Sequence, residues 1–161
     1  MKPTSLKKVQ IGFAYIGLLI MIALISLSAS YSLSLGVISD RRQAEVELLW
    51  WGENMARAIE NYASVNTGAL VRHPQSLEHL VRDPRYPEVR RYLRRIPVDP
   101  ITGKSEWGVI RAPDGGIAGV YSLSSLEPIK KTRFDPGHRD FEQAKTYQDW
   151  RFVRAGIRLQ K

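Results

Sequence analysis

No residue between Ile11 and Ser39 carries a charge. A helix rises ~1.5 Å per residue, so ~20 residues cross the hydrocarbon core of a bilayer. This run is longer, and it opens with Gly12-Phe13-Ala14-Tyr15-Ile16-Gly17-Leu18-Leu19-Ile20-Met21-Ile22-Ala23-Leu24-Ile25. Lys2, Lys7 and Lys8 precede it. A basic flank stays on the cytoplasmic side, so the pattern predicts one span with everything after Asp40 delivered across the membrane. A cleaved secretory signal peptide would need an apolar region of ~7–15 residues and a small-residue cleavage site. The run is too long for that, and no clean A-x-A site follows it. An uncleaved signal anchor fits the same residues.

Past Asp40-Arg41-Arg42 the pattern changes. Leu48, Trp51, Met55, Ile59 and Tyr62 recur at spacings of three and four, with Gly52, Ala56 and Ala63 beside them, which predicts an amphipathic continuation of the helix with that stripe packed on a head domain. Glu45, Glu47, Glu53, Arg57 and Glu60 are assigned to the other faces. Trp50 and Trp51 suit head packing better than an interfacial belt, given their distance beyond Asp40. Asn66-Thr67-Gly68 offers a left-handed cap where the helix ends.

Two short helices follow in this reading. Ser76 caps the first, Leu77 to about Arg82. The second covers Glu88 to Arg95 and places Arg90, Arg91, Arg94 and Arg95 opposite Val89, Leu93 and Ile96. Trp107–Arg111 and Ile117–Ser122 read as strands joined at Ala112-Pro113-Asp114-Gly115-Gly116, where Asp-Gly is a strong hairpin signal. Pro128, Pro136 and Gly137 argue against regular structure between Leu123 and Gln148. Trp150–Val153 is a third strand, and the tail Arg158–Lys161 is expected to fray.

The 161 residues suit one small domain behind the N-terminal helix. Net charge is +8, and loss of Lys2, Lys7 and Lys8 would lower it to +5. That balance suits contact with anionic lipid or acidic protein surfaces. With no cysteine, disulfides and thiolate chemistry are excluded. His73, His79 and His138 share no metal-ligand helix spacing. Hydrolase, phosphate-loop and dinucleotide motifs do not occur, so the chain reads as a non-enzyme without a cofactor.

The basic leader ending at Gly12, followed by Phe13 and an apolar helix, resembles the signal of type IV pilins and type II secretion pseudopilins, commonly written G-F-T-L-x-E. The resemblance extends to Tyr92-Leu93-Arg94-Arg95-Ile96-Pro97-Val98-Asp99-Pro100 and Trp107-Gly108. Major pseudopilins carry Tyr-Leu, then Leu-Pro-x-Asp-Pro-Trp-Gly there. It fades after Ser122. It implies cleavage after Gly12 by a prepilin peptidase and methylation of Phe13. It also implies an α+β pilin-like fold, with a long helix packed on a small antiparallel sheet of three or four strands. The segments would be a leader 1–12, a transmembrane or filament-core half 13–39, an amphipathic half 40–65 and a periplasmic head 66–161. The implied partners are other pilin or pseudopilin subunits and an inner-membrane assembly platform. The chain departs from the family at the fifth mature position, where Gly17 replaces the usual Glu. That Glu is thought to pair with a neighbour's terminal amine, a charge that is costly to leave alone in low dielectric. The departure suits a minor or specialised subunit.

Other readings remain open at this stage. One is an unprocessed single-pass periplasmic scaffold. Another is a minor pilin for DNA uptake, with Arg90, Arg91, Arg94 and Arg95 on phosphates; the same arginines could instead meet acidic neighbouring subunits. Calcium, which the resembling family holds in an acidic C-terminal loop, is disfavoured. Glu127 stands beside Lys130 and Lys131, a poor start for a hard cation.

Overall fold

The computed structural model describes residues 9–65 and 72–154, without the side chains of 9–13 and 26–37. The leader 1–8, the predicted cap at 66–68 and the tail 158–161 lie outside the described residues. The chain divides into two compact units, Met1–Asp40 and Arg41–Lys161. Helix α1 is assigned from Val9 to Ser64 and contributes residues to both. Among the described residues, no helix is long and apolar enough to cross a membrane. Residues 26–37, inside the predicted span, are among those whose side chains are not described.

The second unit is mixed helix and sheet. After α1 come α2 (Glu78–Val81), β1 (Gly108–Arg111), β2 (Ile117–Tyr121) and β3 (Phe152–Val153), with 3-10 turns at Pro136–Gln143 and Tyr147–Asp149 between the last two strands. The described strands form one antiparallel sheet in the order β1-β2-β3. Val109 faces Val120, and Val120 in turn faces Phe152. The hairpin closes as the Ala112 amide donates to the Gly116 carbonyl at 2.8 Å, with Gly115 at φ 80°. That conformation is easy for glycine and costly for most residues.

The core lies between α1 and the sheet. Leu48, Met55 and Ile59 are fully buried from the helix, against Leu80, Val120, Trp150 and Phe152. Each such aliphatic or aromatic side chain contributes ~1.5–3 kcal/mol relative to exposure. Phe141 stacks on Trp150 with centroids 5.5 Å apart, and Phe152 meets Phe141 edge-on at 5.3 Å. The 3-10 turns thus supply core aromatics.

Three expectations need correction. The segment Glu88–Arg95 is not helical. The amides of Tyr92 and Leu93 both donate to the Leu80 carbonyl, at 2.8 and 2.9 Å, and the Asp83 amide donates to the Arg90 carbonyl at 2.9 Å. These backbone groups are satisfied against α2, so no helix ladder is needed. Ser76 does not cap α2 with its side chain, and Leu77 holds the cap position. The loop 123–148 is partly regular. Pro136 starts a 3-10 segment, a position where its missing N–H costs nothing. Thr146 and Asp149 form a reciprocal capping box around the second.

Candidate functional site

In the first unit the described side chains of α1 form an apolar surface. Tyr15, Ile16, Leu18, Leu19, Ile20, Met21, Ile22, Leu24 and Ile25 are each about half exposed, between 49% and 61%. Scattered exposed apolar residues are ordinary, but an unbroken run of this size marks contact with lipid or protein. Gly17 lies within it, and a Cβ built there meets nothing within 4 Å. At Gly12 and Phe13, the predicted processing site, the structure describes the backbone alone.

In the second unit the predicted packing stripe is largely where the spacing puts it. Leu48, Met55, Ile59 and Tyr62 are buried, and Trp51 is half-buried against the core. Trp50, on the adjoining face, is 58% exposed and meets Trp51 edge-on at 4.4 Å. Gly52, expected beside the stripe, lies within it, and Glu45, assigned to another face, joins it. Gly52 is buried, and a Cβ on it would overlap the ring of Phe152. Glu45 is 3% exposed, although it reads as a surface charge. Its carboxylate accepts from the Ile129 amide at 2.6 Å, the Lys130 amide at 3.1 Å and the Tyr147 hydroxyl at 2.9 Å. Burial first, then the bond to Glu45, raises the Tyr147 phenol to about 12, so it stays a donor across the physiological range. The positions 45, 48, 52, 55, 59 and 62 follow a strict three–four alternation. That pattern was the available signal for Glu45.

A second buried acid holds the other end of the helix. Asp83 has a fully buried side chain and pairs with Arg85 at 2.7 Å. Arg85 also donates to the Tyr62 carbonyl at 3.0 Å, and its guanidinium lies 3.6 Å from the Tyr62 ring centroid. The Tyr92 hydroxyl donates to Asp83 at 3.1 Å. Burial pushes the Asp83 carboxyl upward, and the bonds and charge of Arg85 outweigh it, leaving the pKa below its ordinary value. A third acid, Asp99, is fully buried and accepts from the Ser122 hydroxyl at 2.7 Å, the Thr102 hydroxyl and the Ile101 amide. Each carboxylate is met by several donors, as a buried charge requires.

The predicted arginine face does not form, because its helix does not. Arg90, Arg91, Arg94 and Arg95 are all exposed. Arg90 lies over the Tyr86 ring at 4.8 Å. Arg94 and Arg95 border a groove of about 680 Å³ with Trp50, Asn54, Arg57 and Tyr92.

Among the described residues, no three His, Cys, Asp or Glu side chains gather to hold a metal. Glu127 pairs with Lys131 at 2.8 Å. His138 lies 3.4 Å from Glu53, which also meets Arg154. His73 and Asp114 bond at 2.8 Å on the hairpin turn. The first pair lies within one loop, and the other two join separate segments of the chain. Comparison with protein-family models, curated proteins and solved structures finds no match.

Proposed function

We propose that this chain is a structural subunit of the pseudopilin type, a minor or specialised member of a filament built by a type II secretion or type IV pilus-like machine. One observation carries the reading: nine large apolar side chains between Tyr15 and Ile25 stand exposed on a helix. Such a surface needs lipid before assembly and neighbouring helices after it. The Gly12-Phe13 boundary after a basic leader supports a processing step that frees the helix from its charges. The head then lies on the periplasmic side of the inner membrane, held by α1 residues 48–62.

Gly17 supports the specialised role. It presents no carboxylate to a neighbour's terminal amine, and no described side chain replaces one within 4 Å of its Cβ position. It equally supports the second reading, an unprocessed single-pass scaffold.

The test is the mature N-terminus in the native host. A start at N-methylated Phe13, lost when Gly12→Leu blocks cleavage, supports the subunit reading. Retention of Met1, with no cross-links from positions 15–25 to other subunits, overturns it in favour of the scaffold.

A further inference from the structure

The groove beside α1 brings an exposed tryptophan together with three arginines. Its helix wall presents Trp50, 58% exposed, with Asn54 and Arg57 on successive turns. Its opposite wall is the segment containing Tyr92, Arg94 and Arg95, in which the Tyr92 and Leu93 amides are tied to the Leu80 carbonyl. The side chains of Arg94 and Arg95 make no ion pair among the described residues. Arg57 has only a 3.9 Å approach to Glu53 from its own helix, and that carboxylate already meets Arg154. No acidic residue lines the groove.

We propose that the groove between α1 and residues 92–95 is a docking site for an acidic segment of a different protein, with an apolar side chain against Trp50 and carboxylates on Arg94 and Arg95. Tryptophan and arginine are the residue types that concentrate binding energy at protein interfaces. A guanidinium fork matches a carboxylate in two bonds at once. The net charge of +8 disfavours a second copy of the chain as occupant. Nucleic acid fits less well. A phosphate backbone needs a continuing basic track, and here Glu53 and Glu60 stand on the same helix beside the groove, paired with Arg154. The inference concerns the head alone and does not depend on processing at Gly12.

The experiment places a photoreactive p-benzoylphenylalanine at position 50 of the full-length chain in its native host and maps the cross-linked peptide by mass spectrometry. The expected product is a peptide of another protein with Asp or Glu within a few residues of the cross-link. Arg94→Glu/Arg95→Glu should lower its yield about tenfold, and reversing the partner's acid to Arg should restore it. Arg91→Glu, outside the groove lining, should leave the yield unchanged. An unchanged far-UV spectrum and melting temperature for each variant confirm that the head is folded. A cross-link to nucleic acid, to lipid, to a second copy or to a peptide without acids overturns the proposal. So does an equal loss with Arg91→Glu, no loss with the double reversal, or no product at all.

Discussion

The carboxylate of Glu45 and the hydroxyl of Tyr147, 102 positions apart, meet at 2.9 Å inside the head. The same carboxylate takes the Ile129 and Lys130 amides, so one side chain on α1 holds the long loop at two points. Arg41 adds a third, donating to the Glu127 carbonyl at 2.6 Å.

Glu45→Ala should therefore cost more than a surface substitution. It leaves two amides and a phenol without their acceptor, and a buried donor left unsatisfied typically costs ~1–3 kcal/mol. Urea unfolding of the purified chain, followed by tryptophan fluorescence, should show the loss. Glu45→Gln keeps one acceptor oxygen and should fall between the two. A change in Glu45→Ala below ~0.5 kcal/mol, the surface range, would mean that the loop is held elsewhere.

Gly52→Ala should destabilise the head by ~1–3 kcal/mol, because the added methyl overlaps the Phe152 ring in a packed core. Phe152→Leu opens that space at its own cost. The double variant should be less damaged than the two single losses predict, since the sites are in contact. Simple additivity in a double-mutant cycle would show that the close approach is not the cause.

Arg85→Ala removes the countercharge of a fully buried carboxylate. Asp83 would then keep the amide of residue 85 and the Tyr92 bond, and burial raises its pKa. The expected loss is ~3–5 kcal/mol at neutral pH, partly recovered by Asp83→Asn in the same chain. If Asp83→Asn deepens the loss instead, the charge is stabilised by something other than Arg85.

Stability should fall in acid. Burial raises the Asp114 carboxyl, but bonds from the His73 side chain and from the amides of His73, Gly116 and Arg72 outweigh it and lower the pKa from 3.8 to about 2. The unfolded chain therefore takes up the proton first as pH drops. The contribution is complete above the unfolded value and disappears as pH falls through the folded one. For Asp114 this amounts to ~1–2 kcal/mol once partial solvent contact is allowed for. Asp114→Asn should flatten the stability profile between pH 4 and 2, with Asp83 leaving a residual slope of the same sign. An unaltered slope would place the acid sensitivity elsewhere.

Several features were legible in the residues because they depend on neighbours in sequence. The three- and four-residue spacing of Leu48, Met55, Ile59 and Tyr62 is a property of one helix face. The Asp114-Gly115 turn needs only local backbone preferences, and so do the short strands beside it. The exposed face from Tyr15 to Ile25 follows from an apolar run longer than a small core can cover.

Other features were settled only when distant segments met. Glu45 continues the same helix stripe, yet a carboxylate reads as a surface position until Tyr147 and Ile129 arrive to bond it, and how closely Phe152 packs on Gly52 is set only when the two meet. The stretch from Glu88 to Arg95 has helical spacing, but its amides found the Leu80 carbonyl instead. Local pattern determines which face a residue occupies. Whether that face can accept a charge, or a missing side chain, is decided by the partners that tertiary packing brings to it.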